Sequence, residues 1–142
     1  MKEMEAIVGK LREKGARITP VRKAMVSVLI EAKGPLSILE IGRRLARKGH
    51  APNKTTLYRE MDFLVRGGWI HELDFGDGRK CYEWKAGHHH HLVCRNCQAV
   101  EEIEVGELES AFGAFEKKLG KKSNFASVSH SLEFYGTCNH CR

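Results

Sequence analysis

Two cysteine pairs constrain this chain more than any other feature of its sequence. Cys94 and Cys97 form one Cys-x-x-Cys pair, Cys138 and Cys141 form a second, and residues 98–137 separate them. Two thiolates at this spacing can bind one ion, and two such pairs complete the tetrahedral sulfur site that Zn²⁺ favours. The pattern therefore predicts a structural zinc site that ties the last residues of the sequence to its middle.

Length and composition limit the kind of protein that can carry such a zinc site. A chain of 142 residues, 42% of them hydrophobic, can bury a core in one domain or in two small ones. No apolar run approaches the ~20 residues of a membrane span, and the first residues lack a signal-peptide stretch, so we expect a soluble cytoplasmic protein. In that compartment paired cysteines are metal ligands or redox centres more often than disulfides.

The net charge of +6 is unevenly distributed along the chain. Residues 1–84 carry 17 Lys and Arg against 11 Asp and Glu, whereas residues 85–142 carry seven of each. A basic first part and a neutral second part that carries the candidate metal ligands favour a polyanion-binding domain over 1–84 joined to a sensing or assembly domain over 85–142. A solvated basic surface would give the same counts.

The basic half carries the start signals of three helices. Thr19 before Pro20 fits an N-cap, Ser37 with Glu40 fits a capping box, and Asn53 fits a further N-cap. Apolar side chains follow each start at helical spacing. We therefore expect three amphipathic helices that share one core.

Two strand-like runs, 69–75 and 79–84, follow these helices and flank a Gly-Asp-Gly hairpin signal at 76–78. Helices followed by a hairpin predict a winged helix-turn-helix domain. The flank of the third helix that faces away from the core would suit a recognition helix in the major groove. It carries Lys54, Thr55, Tyr58 and Arg59. A small helical bundle with a solvated face is the alternative.

Four consecutive histidines, His88 to His91, precede the first cysteine pair. In an extended strand successive side chains point to opposite faces, so His89 and His91 would share one face and His88 and His90 the other. The four could then serve two separate metal sites. A remnant purification tag is the alternative, but the sequence continues into Cys94 without a linker.

The second half also predicts one amphipathic helix and one further strand. Apolar residues recur at helical spacing between 108 and 119, and apolar and polar residues alternate over 127–134. His130 lies on the apolar face of that strand, as a hydrogen-bonded core residue or as a ligand. A unit this small needs zinc or dimerisation for stability. A thiol oxidoreductase or a zinc hydrolase is the enzymatic alternative, but the βαβ setting and the substrate cleft that these need are not indicated.

Five segments together resemble the ferric uptake regulator (Fur) superfamily of bacterial metal-dependent repressors over nearly the whole chain. They are GARITPVR at 15–22, TTLYR at 55–59, GRKCYE at 78–83, HHHHLVCRNC at 88–97 and HSLEFYGTC at 130–138. The resemblance implies an α+β protein with an N-terminal winged helix-turn-helix domain and a small, zinc-stabilised α/β dimerisation domain. It implies a homodimer, or two dimers, on a double-stranded DNA operator, with neither a membrane nor a small organic substrate as partner.

The same match implies which residues bind DNA. Tyr58 and Arg59 would contact bases and phosphates, and Arg17 would reach a minor groove. With the polar flank of the third helix and the second arginine of the first segment, the expected set is Arg17, Arg22, Lys54, Thr55, Tyr58 and Arg59.

Three metal sites are implied residue by residue. The structural zinc site is matched by Cys94, Cys97, Cys138 and Cys141. The regulatory site between the domains is matched by His89, His91 and Glu102, with Glu83 as the carboxylate of iron-responsive members. A third site within the dimerisation domain is matched by His88, His90, Glu109 and His130.

The sequence departs from the iron- and peroxide-sensing members before the third helix of the winged domain. They usually have a histidine there, where this chain has Gly34-Pro35-Leu36. His71 instead matches a ligand of the zinc-responsive branch (Zur), and Cys81 resembles the cysteine that this branch uses. Cys81 and Glu83 would project from one strand face, so either could bind, unless Cys81 is only a small hydrophobe packed in the hairpin. A thiolate favours zinc, whereas nitrogen and oxygen ligands suit iron or manganese equally well.

We therefore predict a metal-responsive DNA-binding repressor that senses zinc and controls metal-uptake genes, and not an enzyme. Its metals would be a structural Zn²⁺ and a regulatory Zn²⁺, Fe²⁺ or Mn²⁺ that fixes the domain geometry of a dimer. An iron-responsive or peroxide-responsive regulator is the alternative, and a thiol redox protein is a remote one.

Overall fold

The computed structural model describes residues 2–76, 78–85 and 87–142. The chain divides into a first unit, Met1–Ala86, and a second unit, Gly87–Arg142. The sequence had suggested a boundary between residues 84 and 85. Within the described residues, no helix is both long and apolar enough to cross a membrane.

The described residues of the first unit form four helices and three strands. They are α1 (Lys2–Glu13), α2 (Pro20–Ile30), β1 (Leu36–Ser37), α3 (Ile38–Arg47), α4 (Lys54–Arg66), β2 (Ile70–Asp74) and β3 (Lys80–Trp84). The three predicted helix starts are confirmed. The Thr19 hydroxyl accepts a hydrogen bond from the backbone of Arg22 at 3.1 Å, Ser37 and Glu40 form a reciprocal capping box, and the Asn53 side chain accepts from the first turn of α4.

The predicted hairpin is also confirmed. β2 and β3 pair antiparallel, with Ile70 opposite Trp84 and Asp74 opposite Lys80. Asp77, the central residue of the predicted turn, lies outside the described residues. β1 was not predicted and pairs with the other side of β3, giving the sheet order β1-β3-β2. A strand of two residues has no periodicity from which to recognise it.

Helix α1 was not predicted, because the first helix-start signal of the sequence lies at Thr19. Its pattern is nevertheless present, because Met4, Ile7, Val8 and Leu11 recur at helical spacing. Val8 and Leu11 are buried, and Met4 and Ile7 pack against the core. The helix therefore forms a fourth side of the same core.

One hydrophobic core holds the first unit together. Met25 of α2, Ile41 and Leu45 of α3, and Leu64 of α4 are all 0% exposed. Tyr82 of β3 closes the core from the sheet side. The unit is thus a winged helix-turn-helix, in which α4 buries one flank and exposes the other.

The second unit contains β4 (His90–Cys94), β5 (Val100–Ile103), α5 (Glu107–Lys122) and β6 (Glu133–Gly136). β4 is the central strand, antiparallel to β5 and parallel to β6, and α5 makes the connection between β5 and β6. The predicted helix is confirmed. β5 was not predicted, because its Val-Glu-Glu-Ile sequence does not alternate between apolar and polar residues.

The strand predicted over 127–134 was wrong in extent. Only its last two residues are extended, and the strand runs on to Gly136. Ser127 adopts a φ of 54°, which an extended strand does not allow. His130 therefore lies before β6 rather than within it, and Phe134 of the predicted apolar face is 38% exposed.

The second unit has almost no hydrophobic core of its own. Among residues 87–142, all of which the structure describes, the buried hydrophobic side chains are those of Val93 and Cys94. None of the residues of α5 is buried, and Phe115 on that helix is 57% exposed. Apolar burial within one chain therefore contributes little to holding this unit folded.

Two residues of α3 test the assignment of the core. Ile41→Ala should lower the free energy of unfolding of the first unit by about 2–5 kcal/mol, because Ile41 is 0% exposed and its removal leaves a cavity. Leu39→Ala is the matched control, since Leu39 is 61% exposed on the same helix and should cost under ~0.5 kcal/mol. Urea titration followed by circular dichroism measures both, and equal effects would contradict this core.

Candidate metal centres and DNA-facing surface

Four cysteine sulfurs converge in the second unit and are called here the cysteine cage (Cys94, Cys97, Cys138, Cys141). All four lie within 4.8 Å of one another, and none of the five cysteines of the chain is in a disulfide. Two backbone turns place them. Gln98 donates its N–H to the carbonyl of Cys94 at 2.8 Å, and Cys141 donates to the carbonyl of Cys138 at 3.0 Å. The parallel pairing of β4 with β6 then brings one turn to the other.

The dimensions of the cage suit a tetrahedral zinc ion. The sulfurs of Cys97 and Cys138 are 3.6 Å apart, close to the roughly 3.8 Å edge of a tetrahedron with Zn–S bonds of about 2.3 Å. The backbone N–H of Cys138 also donates to the sulfur of Cys94 at 3.3 Å. Such N–H···S bonds are common where a thiolate is a metal ligand, because they stabilise its negative charge.

Proton affinities within the cage differ between cysteines. Hydrogen bonds from the backbone N–H groups of Cys97 and then Cys138 lower the pKa of Cys94 to about 6. Hydrogen bonding to the neighbouring Cys138 and Cys97 sulfurs raises the pKa of Cys141 to about 12. Four sulfurs this close cannot all ionise without a cation between them, so the donor set fits a divalent metal.

A second group of donors is called here the histidine cluster (His88, His90, Glu109, His130). Its ligand atoms also lie within 4.8 Å of one another. Glu109 of α5 is central, with its two oxygens 3.0 Å from Nε2 of His88 and 2.9 Å from Nε2 of His90. The hydrogen bond to His90, followed by the charges of nearby histidines, lowers the pKa of Glu109. Three imidazoles and a carboxylate in this arrangement fit zinc, iron or manganese.

Glu116, which was not predicted as a site residue, contacts the histidine cluster through His130. Its Oε1 is 2.7 Å from Nδ1 of His130, so the carboxylate favours a proton on Nδ1 and leaves Nε2 to face the cluster. A carboxylate behind a histidine ligand orients the ring and raises its basicity. The available signal was its spacing, since Glu109 and Glu116 are seven residues apart and share a helix face.

His89 and His91, the other two of the four consecutive histidines, point away from the histidine cluster. The rings of His89 and His91 are 4.9 Å apart, whereas those of His88 and His90 are 4.7 Å apart, so the histidines form the two pairs that strand alternation predicts. His91 is buried and lies opposite Glu102 of β5 in the sheet register. Three predicted regulatory ligands, His89, His91 and Glu102, therefore come from this part of the second unit.

The other three predicted regulatory ligands lie on the sheet of the first unit. His71 is opposite Glu83, and Leu73 is opposite Cys81. Because Tyr82 points into the hydrophobic core, its neighbours on the strand face the other way. His71, Cys81 and Glu83 thus share the sheet face that is turned away from the helices.

The exposed flank of α4 carries the residues predicted to bind DNA. Lys54, Thr55, Tyr58 and Arg59 are all exposed in its first two turns. Arg17 is exposed in the loop before α2. The Lys54 ammonium lies 5.9 Å from the centre of the Tyr58 ring. Arg22 differs, because its side chain is only 12% exposed and is bonded to Glu60.

A winged helix-turn-helix followed by a strand-helix-strand unit with these donor groups has a clear counterpart among known proteins. Residues 13–135 match the ferric uptake regulator family. The chain belongs to the ferric uptake regulator family. As a Fur-family protein it is a metal-responsive regulator of transcription, and the members of this family are transcription regulators, not enzymes.

Several relatives match along nearly the full length of the chain. The ferric uptake regulation protein of Bacillus subtilis is 32% identical over 143 residues, and the match covers 97% of this chain and 93% of the Bacillus protein. The peroxide-responsive repressor PerR of Staphylococcus epidermidis is 26% identical over 140 residues, and the match covers 99% of this chain and 91% of PerR. The structure of Helicobacter pylori Fur is 25% identical in sequence and superposes with a TM-score of 0.78. The match covers 99% of this chain and 92% of the Helicobacter chain, whose structure is described as revealing three functional metal-binding sites.

Replacing one cysteine of the cage tests its structural role. Cys138→Ser should remove the zinc that resists chelators and make the second unit unfold at lower temperature, because this small unit depends on the bound ion. Cys81→Ser is the matched control, since Cys81 lies outside the cage. Elemental analysis after chelator treatment and calorimetry measure both. A full complement of resistant zinc in the Cys138 variant would refute the cage.

Removing the charge of Glu116 tests its support of His130. Glu116→Gln should weaken metal binding at the histidine cluster by about 10- to 100-fold, which is the usual effect of losing such an outer carboxylate. Glu107→Gln is the control, because Glu107 is exposed on the same helix. Competition with a chromogenic chelator measures the affinity. Equal affinities of the two variants would show that Glu116 does not act through His130.

Proposed function

We propose that this Fur-family protein is a zinc-responsive repressor that binds a DNA operator as a homodimer, with zinc as corepressor. The observation that carries the choice of metal is Cys81, whose thiol shares a sheet face with His71 and Glu83. A thiolate among nitrogen and oxygen donors favours zinc over iron or manganese. The controlled genes would be those of metal uptake, and a repressor of them acts in the cytoplasm, where the DNA is.

DNA binding is assigned to the first unit. The exposed flank of α4 offers Lys54 and Arg59 as cations and Tyr58 as an aromatic group beside them. The excess positive charge of the chain also lies in residues 1–84. α4 buries one flank in the core of the winged helix-turn-helix and exposes its polar and basic side chains in its first turns. A helix with this arrangement suits docking in the major groove.

Metal dependence is assigned to donors that belong to both units. The predicted ligands are His71, Cys81 and Glu83 from the first unit and His89, His91 and Glu102 from the second. An ion bound by donors of both units would restrict the relative orientation of the two units. Moving an equilibrium from 1:99 to 99:1 in favour of the DNA-competent arrangement requires about 5.5 kcal/mol of preferential binding.

The cysteine cage and the histidine cluster are assigned a different role. Each draws all its donors from the second unit, so an ion in either can stabilise that unit without linking it to the first. Together with the regulatory set they make three metal sites, the number described for the related Helicobacter pylori protein.

Dimerisation is assigned to the second unit because of its exposed apolar side chains. Leu108, Phe115 and Leu119 of α5 are 52%, 57% and 39% exposed, and Phe125 is 75% exposed. Surfaces of this kind are usually covered by a partner. A second copy of the chain would supply the apolar burial that the second unit lacks, with one dimer or two on each operator.

An iron-responsive or peroxide-responsive regulator is the second candidate. It is favoured by the relatives at 32% and 26% identity, which are a ferric uptake regulation protein and a peroxide-responsive repressor. In that case Glu83 rather than Cys81 would serve as the ligand from the sheet, because iron accepts nitrogen and oxygen donors.

The regulatory site is tested by the variant His89→Ala/His91→Ala. The probe is a DNA duplex selected by the zinc-loaded wild-type protein from a randomised pool, and affinity is measured by fluorescence anisotropy. The variant should bind it about 100-fold more weakly at saturating zinc, because only about 1% of the free protein would be competent. His50→Ala in the first unit should bind normally. An unchanged metal response in the double variant would remove the bridging site.

Titration of the same complex with Zn²⁺, Fe²⁺ and Mn²⁺ under anaerobic conditions assigns the metal. We expect zinc to act at the lowest free concentration and Cys81→Ser to raise the zinc concentration required. Activation by iron at a lower concentration, with no effect of Cys81→Ser, would establish the second candidate. Loss of binding on peroxide treatment of the iron-loaded protein alone would identify a peroxide sensor.

A further inference from the structure

Arg22 of α2 has an environment unlike that of the other residues predicted to bind DNA. Its Nε donates to Oε2 of Glu60 at 2.7 Å, and its Nη1 donates to the backbone carbonyl of Arg17 at 2.6 Å. Its guanidinium carbon lies 3.8 Å from the centre of the Phe63 ring. The guanidinium is thus held along its edge by two acceptors and on its face by an aromatic ring.

These partners belong to two other parts of the first unit, the helix α4 and the loop before α2. Glu60 and Phe63 are three residues apart on α4, so they lie on one side of that helix. Arg17 lies in the loop before α2, and the backbone N–H of Arg22 also donates to Thr19 in that loop. One side chain therefore connects α2, α4 and the loop.

Glu60 lies beside the exposed residues of α4 but does not share their exposure. It is 5% exposed, whereas Arg59 next to it is exposed. A buried carboxylate requires a partner, since an unpaired charge is costly to remove from water. Arg22 meets this requirement, because its Nε lies 2.7 Å from Oε2 of Glu60.

We propose that Arg22 is a positioning residue, which fixes the Arg17 loop against the recognition helix α4 and does not itself contact DNA. The proposal rests on the proposed function, because it concerns how the DNA-binding groups are held. In this arrangement Arg22 sets where Arg17 is presented relative to Tyr58 and Arg59. Loss of Arg22 would then weaken DNA binding through geometry rather than through lost charge.

Arginine suits this role and lysine does not. A planar guanidinium can donate to Glu60 and to the Arg17 carbonyl at once while it stacks on Phe63. An ammonium is a point charge that lacks this fixed fork, although it satisfies a DNA phosphate well. The variant Arg22→Lys therefore separates positioning from phosphate contact.

Glu60→Gln separates the two roles by the direction of its effect. If Arg22 were a DNA contact, removing a neighbouring negative charge would leave affinity unchanged or increase it, because DNA is a polyanion. If Arg22 positions the loop, the same change weakens its anchor and lowers affinity. The double variant Arg22→Lys/Glu60→Gln should then lose no more than the larger single loss, since both changes break one interaction.

The experiment measures DNA affinity of the full-length, zinc-loaded protein between about 50 and 200 mM salt, a range in which phosphate contacts have large effects. The probe is the duplex selected from the randomised pool. Arg22→Lys and Glu60→Gln should each bind roughly tenfold more weakly, with the wild-type slope of log affinity against log salt. Arg59→Ala should instead reduce that slope by about 1, as loss of one phosphate contact does.

Arg66→Lys is the matched control, because Arg66 forms an ion pair with Asp62 on the same helix but its side chain is 79% exposed. It should bind DNA as the wild type does. Thermal unfolding and titration at stoichiometric DNA concentration establish the folded, active fraction of each variant, so that a loss of affinity is not mistaken for a loss of protein.

Three outcomes are distinguishable. Weakened binding by both variants at an unchanged slope supports the positioning role. Normal binding by Arg22→Lys, or tighter binding by Glu60→Gln, overturns the positioning role while the proposed function stands. If the wild-type protein selects no sequence from the pool, the proposed function fails and the positioning role fails with it.

Discussion

The second unit depends on four cysteine sulfurs that lie close enough together to bind one metal ion. Val93 and Cys94 are its only buried hydrophobic residues among 87–142, and α5 buries none of its side chains. Hydrogen bonds in a three-stranded sheet do not compensate for that, because each adds only about 1 kcal/mol net. An ion in the cysteine cage would hold the ends of β4 and β6 together, and the positions of the histidines on β4 depend on that sheet.

Two structural periodicities organise the metal donors. Side chains alternate along the first residues of β4 and the two residues before it, which divides the four consecutive histidines into the pairs His88 with His90 and His89 with His91. One peptide segment therefore serves two groups. The heptad-like spacing of Glu109 and Glu116 then places one carboxylate within the histidine cluster and the other behind His130. The first unit differs in kind, since its hydrophobic core is complete within one chain and its α4 can expose a polar flank without loss of stability.

The parts of the fold that local chemistry determines could be predicted from the sequence. Thr19, Ser37 and Asn53 mark helix starts because each side chain satisfies an amide within three residues of itself. The cysteine cage follows from spacing alone. What the sequence could not show depends on contacts between distant segments: β1 is too short to have a pattern, and Glu116 becomes relevant only once α5 lies against the segment that carries His130. Likewise, Arg22 resembles a DNA contact in sequence, but its burial against Glu60 depends on how α2 and α4 pack.

The parallel pairing of β4 with β6 has a consequence for how the second unit folds. The hairpin of β4 and β5 is local and places Cys94 and Cys97 within microseconds, whereas Cys138 reaches Cys94 from 44 residues away, after α5 has formed. During synthesis the first pair therefore exists for a time as a two-sulfur site without Cys138 and Cys141. Such a site has little geometric selectivity, and soft ions compete for it by affinity alone. The tetrahedral geometry that favours zinc therefore arises only when β6 has paired with β4 and brought Cys138 and Cys141 to the first pair.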